Sequence, residues 1–218
     1  MLSKSITAKK KNLKGLLAQL FTDPEVCGIF YKLLITFFST YCNFYLTLFM
    51  MVRFQGNVFI NLQIFGVSFT FGIMASGLIM RWVSDQYVYT MGAFVIMLVN
   101  SYKSSVESID NQMMIYSLFT LHSISIGLML NSGIIILSTR TMPHLVSISL
   151  ELCFCFANLM AAFTPILASM DKPVPMLAFC GFSILGIITV LNLHQEEEVE
   201  IDENLSDFQA SVVMSVLS

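Results

Sequence analysis

A chain of 218 residues that is 56% hydrophobic and 11% charged, with a mean hydropathy of +0.77, lacks the polar surface to cover a water-soluble globule. Soluble domains carry about 25% charged residues. The formal net charge of −3 hides a segregation, because five lysines lie in the first fourteen residues, seven of the fourteen acids follow Gln195, and the middle is nearly charge-free.

Met1 to Asn12 is polar and basic, without the apolar run of a secretory signal, so the first membrane helix is expected to direct insertion. From Asn12 to Phe21, Leu13, Leu16, Leu17, Leu20 and Phe21 recur at helical spacing, which predicts a short amphipathic helix on the inner membrane surface. Thr22, Asp23 and Pro24 break it, and Pro24 suits the start of the next helix. Crossing about 30 Å of hydrocarbon takes roughly 20 apolar residues whose backbone groups are satisfied internally. Six segments meet that requirement: Ile29 to Val52, Asn57 to Met80, Tyr87 to Tyr102, Met113 to Ser138, Leu145 to Ser169 and Pro173 to Leu193. The third is short and borrows from its flanks. The tail from His194 is acidic and solvated, with Phe208 to Leu217 as a candidate partner-binding end.

The expected fold class is therefore all-α: a polytopic membrane protein with a six-transmembrane-helix bundle over residues 29–193. Residues 1–28 form a basic cytoplasmic segment and 194–218 an acidic cytoplasmic tail. Orientation follows from the basic residues. With the N-terminus inside, Lys4, Lys9, Lys10, Lys11, Lys14, Lys32, Arg81 and Arg140 lie at the cytoplasmic face, against Arg53, Lys103 and Lys172 outside. Both termini are then cytoplasmic, and the basic N-terminus implies contact with anionic lipid rather than nucleic acid.

The run GLLAQLFTDPEVCGIFYKLLITFFSTYCNFYL, followed by GNVFINLQIFG, resembles the start of the C-terminal half of organic cation and anion transporters of the major facilitator superfamily. Leu20, Phe21 and Pro24 match that family's "Leu-Phe-x-x-Pro", Phe37, Phe38, Tyr41 and Tyr45 its aromatic seventh helix, and Gly56, Asn57, Val58 and Phe59 its outer turn. CFANLMAAFTPIL is similar to the eleventh helix, with Pro165 at the family's proline and Asn158 where cation carriers have an acid and anion carriers a base. The likeness covers residues 13 to 193. Two departures stand out. The superfamily's cytoplasmic Asp-Arg-x-Gly-Arg is replaced by Arg81, Trp82, Val83, Ser84 and Asp85, and the family's "Glu-x-x-Pro-Thr-x-x-Arg" is reduced to Arg140, Pro143, His144 and Ser147. The resemblance implies twelve helices, with a solute site between two six-helix halves. The expectation is half of a major-facilitator-type fold that pairs with a second six-helix half or as a homodimer, or else a truncated half without activity.

Glu151 costs at least about 2.5 kcal/mol in hydrocarbon unless it faces a cavity or a partner. It lies two helical turns before Asn158, so the two share a face that forms a candidate substrate stripe; the alternative is that Glu151 snorkels or pairs with Arg140 or His144. Tyr41 and Tyr45 share a face at i, i+4 and can hold a desolvated organic cation, or simply pack. His122 can relay a proton or make one interhelical hydrogen bond. Arg81 and Asp85 are a candidate cytoplasmic gating pair. Ser125, Asn131 and Ser132 are polar inside the same apolar run as His122, Asn61 and Gln63 read as interhelical contacts rather than ligands, and Gly72, Ala75, Ser76, Gly77, Ala161, Ala162, Gly181 and Gly186 as close-packing positions.

The five cysteines show no metal spacing and read as small buried hydrophobes. No phosphate loop, nucleophile triad or carboxylate cluster is visible, so neither an enzyme nor a cofactor is expected. The functional expectation is transport of a small organic solute across a lipid bilayer; the alternative is a non-transporting membrane subunit.

Overall fold

The computed structural model describes Gly15, Ala18 and residues 20–53, 57–105, 112–171 and 173–193. The N-terminal lysines, most of the expected amphipathic helix, Lys172 and the acidic tail with its candidate partner-binding end lie outside the described residues. Those described form helices and connecting turns without a strand. In order they are α1 (Pro24–Met50), a 3-10 turn (Met51–Arg53), α2 (Val58–Ile79), α3 (Asp85–Ser105), α4 (Gln112–Arg140), α5 (Val146–Ala161), α6 (Thr164–Ser169) and α7 (Val174–Leu193).

Five of the six expected spans are helices long and apolar enough to cross a membrane, with α5 and α6 together making one. The segment expected at Tyr87 to Tyr102 is also helical and, at 21 residues, reaches about 31 Å at 1.5 Å per residue. It falls outside the apolar class because it carries Asp85, Gln86, Asn100 and Lys103. Three of these, Gln86, Asn100 and Lys103, are buried against the bundle.

Local chemistry sets the ends. The Asp23 carboxylate accepts the Glu25 N–H at 3.2 Å and Pro24 opens the helix, so α1 begins five residues before the apolar run at Ile29. Asn57 caps α2 by accepting from the Phe59 N–H at 2.9 Å. The fifth span is broken between α5 and α6, since Pro165 has no N–H to give the Ala161 carbonyl. The Thr164 hydroxyl donates to that carbonyl instead, at 2.7 Å, so the break does not leave it unsatisfied.

Helices α1 and α4 form the centre. α4 lies against α2, α3 and α1, and α1 against α5 and α6. Asn131 meets Ser76 and Gly72 meets Ile124, so α2 and α4 run parallel, whereas Thr36 with Thr189 and Asn43 with Ser183 set α7 antiparallel to α1, as an up-and-down bundle requires. Glycine permits close approach of α2 to α4. A Cβ on Gly72 would run into the Ile124 backbone, and one on Gly127 into Phe69 and Ile73, so α2 and α4 meet backbone to backbone. Gly77 and Gly181, also expected to pack closely, have open space around them.

Candidate functional site

The two sides of α1 have different chemistry. Phe37, Tyr41, Phe44 and Tyr45 face α5 and α2, where they join Phe154, Phe65 and Phe69 in a continuous aromatic wall. Tyr41 meets Phe154 edge-on with centroids 5.6 Å apart and lies 6.2 Å from Tyr45. Phe44 contacts Phe65 at 5.7 Å and Phe69 at 5.4 Å, and Phe65 reaches Phe119 of α4 at 6.4 Å. Rings offset or edge-on at these distances attract one another beyond their burial.

One polar contact interrupts the wall. The Tyr45 hydroxyl donates to Asn158 Oδ1 at 2.7 Å, across helices 113 residues apart in the chain. Asn158 Nδ2 donates to the Phe154 carbonyl at 2.8 Å, which fixes the amide's orientation. An asparagine side chain offers two donors and two acceptor sites, so these bonds leave capacity for a ligand.

Asn158 is exposed, as are Cys155 and Glu151 on the same helix. Residues 151, 155 and 158 form one stripe of α5, while Ser149, Cys153, Ala157 and Ala161 on the opposite side are buried. Cys155 thus departs from the reading of all cysteines as buried: Cys42 and Cys153 are buried, Cys27 and Cys180 half-buried, and all five are free thiols. The exteriors of α3 and α7 differ from this stripe. Their exposed mid-helix side chains are Met91, Phe94 and Leu98 on α3, and Leu177, Ile184, Leu185 and Ile188 on α7. Apolar exteriors match lipid; an exposed carboxylate and amide on a helix long and apolar enough to cross a membrane do not.

The other side of α1 is a sealed polar seam. Thr36, Ser39, Thr40, Asn43 and Thr47 are buried. Thr36 Oγ1 contacts Thr189 Oγ1 at 3.2 Å, Ser39 donates to the Phe182 carbonyl, and Asn43 Nδ2 donates to Ser183 Oγ at 3.3 Å. The Tyr89 hydroxyl, from α3, sits 3.0 Å from Thr40 Oγ1 and 3.2 Å from the Thr36 carbonyl. Gly186 makes room for that ring, since a Cβ there would stand 2.6 Å from Tyr89 Oη and 2.7 Å from Ser39 Oγ.

His122 belongs to this seam. It is 2% exposed. Its ring packs edge-on against Phe179 at 4.9 Å. Asn100 Nδ2 lies 3.1 Å from Nδ1 and also donates to the Ile96 carbonyl at 2.8 Å. Nδ1 therefore accepts, and Nε2 carries the proton, donating to Thr47 Oγ1 at 2.8 Å. Thr47 passes its own hydrogen to the Asn43 carbonyl at 2.8 Å, so the network closes around a neutral imidazole. One buried oxygen, Asn43 Oδ1, has no partner among the described residues.

Of the residues singled out in the sequence, the structure brings Tyr41, Tyr45 and Asn158 together and sets Glu151 on the same stripe. His122 lies apart in the seam. Arg81 is exposed in the α2–α3 turn, and Asp85 accepts the Gln86 N–H at 3.0 Å at the start of α3. No ion pair joins Arg81 to Asp85 among the described residues. Sequence reading passed over Thr36, Ser39, Thr40, Thr47, Tyr89 and Asn100. The signal was present, because Thr36, Thr40, Asn43 and Thr47 recur at i, i+4, i+7 and i+11, one stripe of a helix. Asn131, polar inside an apolar run, donates to Ser76 Oγ of α2 at 2.6 Å. In the comparisons with known proteins, no protein-family model matches the chain, and no curated protein matches it significantly.

Proposed function

We propose that this chain is one six-helix half of a membrane transporter for a small organic solute, of the major-facilitator type, with the α1/α5 face on the solute path. In this reading α3 crosses the membrane with the other five and keeps its polar residues against the bundle. The observation that carries it is the uneven exterior: Glu151, Cys155 and Asn158 line an exposed stripe beside a half-open aromatic wall, while the exposed middles of α3 and α7 are apolar. Glu151 supplies charge, Asn158 and Tyr45 directional hydrogen bonds, and Tyr41 and Phe154 a desolvated aromatic surface. A second half completes the path, and rocking of the halves alternates access.

A second reading, a non-transporting membrane subunit, is favoured by the exposed Leu159, Phe163 and Ile166 close to the polar stripe, which suit a dry protein contact. Cys155 separates the two. In membranes carrying the Cys27→Ser, Cys180→Ser chain, a membrane-impermeant charged thiol reagent is expected to modify Cys155 at least tenfold faster than a cysteine placed at Ile184 on the α7 exterior. Equal protection of both positions refutes a water-filled path along α5. Uptake by the reconstituted assembly that survives both Asn158→Ala and Glu151→Gln would remove those two from the path.

A further inference from the structure

A second feature is the turn that joins α2 to α3, which carries the chain's one tryptophan. Trp82 is 88% exposed and makes no ring contact or side-chain hydrogen bond among the described residues. Two rows of exposed apolar side chains lead to this turn. On α2, Phe71, Met74 and Leu78 recur every three or four residues, and Trp82 stands at the next step of that spacing. On α3, Phe94 and Met91 are followed, toward the turn, by the exposed Tyr87. The turn's backbone is satisfied, with the Trp82 and Val83 N–H groups donating to the Ile79 carbonyl at 2.9 and 3.0 Å. Arg81, beside the indole in sequence, is exposed. The nearby acid, Asp85, is turned to its own helix, where it accepts the Gln86 N–H at 3.0 Å. At 22 residues α2 is about 33 Å long at 1.5 Å per residue, close to the roughly 30 Å of a hydrocarbon core. When α2 crosses a bilayer, a residue just past its end therefore lies at the boundary of that core.

We infer that the α2–α3 turn docks on the bilayer interface, with the Trp82 indole seated between the acyl chains and the phospholipid headgroups. An indole is apolar over its faces and carries one N–H, so it is satisfied where one side is hydrocarbon and the other is wet. Nε1 donates to an ester or phosphate oxygen, and the ring lies over the acyl chains that cover Leu78 and Tyr87. Arg81 extends outward to phosphate groups, which a guanidinium suits. A protein partner covering the turn would have to bring its own counter-charge for Arg81, since Asp85 is turned to its own helix; the phosphates of a lipid surface supply that charge everywhere. The anchor holds the first turn of α3, a helix that falls outside the apolar class, at the membrane boundary. The inference rests on the chain lying in a membrane, and it holds whether or not the chain transports anything.

Because the chain has one tryptophan, its fluorescence reports this turn alone, and the parent sequence needs no substitution for the test. The full chain is reconstituted into phosphatidylcholine vesicles containing lipid brominated either near the ester linkages or near the chain ends, with iodide on both sides of the bilayer in a separate series. Bromine near the ester linkages is expected to quench Trp82 about threefold more strongly than bromine near the chain ends. Iodide should quench it about fivefold less than free tryptophanamide. The double variant Trp82→Phe, Phe71→Trp moves the probe to the exposed middle of α2 and should reverse the order of the two bromines. Iodide quenching of Trp82 equal to that of tryptophanamide overturns the inference, because the indole then stands in water. Shielding from iodide and from both bromines also overturns it, and assigns the turn to a protein contact. If the probe at position 71 is quenched by bromine while Trp82 is not, the anchor fails and the membrane placement of α2 stands. If neither is quenched, the membrane placement itself fails and the anchor with it.

Discussion

The two faces of α1 hold similar numbers of side chains able to hydrogen-bond or stack, yet they sit in opposite situations. Thr36, Thr40, Asn43 and Thr47 are buried and bonded to α3, α4 and α7, whereas Tyr41 and Tyr45 are half-buried on a wall open toward the Glu151–Asn158 stripe. Inside a membrane the cost of a polar group is met by a partner helix or by something outside the bundle. The seam meets it internally and so serves cohesion. On the α5 stripe Asn158 keeps bonding capacity beyond Tyr45 and Phe154, and Glu151 and Cys155 are exposed, so that side is open to something outside the bundle.

The comparison breaks hardest at Gly186. A Val there drives a methyl into Tyr89 and Ser39, displacing the hydroxyl that α3 lends to Thr36 and Thr40. Overpacking of this kind costs about 3 kcal/mol, so Gly186→Val should sharply lower the melting temperature in detergent. Gly181→Val, on the same helix with open space around it, should melt like the parent. Equal melting of both variants would mean that α7 does not approach α1 as closely as described.

His122→Leu comes next. It leaves Asn100 and Thr47 each short of a partner in a buried site, at about 1–2 kcal/mol. Thermal melting reads this directly. If His122 instead relays protons along the solute path, His122→Asn should abolish coupled uptake while melting like the parent, and the division between seam and wall would fail. Thr164→Val strips the Ala161 carbonyl of the hydroxyl that substitutes for the missing donor at the proline break, for about 1 kcal/mol, and Thr164→Ser should restore it.

Much of the scaffold was legible because apolar runs of membrane length have few alternatives; five spans followed from that alone. The third, expected as a short span, is helical but less apolar than the rest because Gln86, Asn100 and Lys103 lower its hydropathy, and their burial depends on neighbours that no local window contains. The break in the fifth span was readable from Pro165, but its repair by Thr164 was not. On the wall, Tyr45 and Asn158 were each visible as a polar residue in an apolar helix. Their hydrogen bond was not, since it joins positions 113 apart. His122 drew attention as a titratable group, while the threonines that enclose it looked like ordinary helix filling. The seam is recognised only when their spacing is read together.

The smallest expected effect on stability is the most informative about function. Tyr45→Phe removes the hydrogen bond to Asn158 at a half-exposed position, so its cost should stay near 0.6 kcal/mol, the average for an interhelical bond in a membrane protein. Asn158→Leu also gives up the local bond to the Phe154 carbonyl, and the double variant should cost less than the sum, because the Tyr45–Asn158 bond is lost in all three. Solute uptake should respond out of proportion to this, falling about tenfold in each single variant, which equals about 1.4 kcal/mol. The same pair of measurements on Thr47→Val should give the reverse order, with a larger fall in melting temperature and little change in the uptake of protein that remains folded. If Tyr45→Phe lowers melting as far as Thr47→Val and leaves uptake unaltered, the wall is a second seam, and α1 has no side reserved for solute.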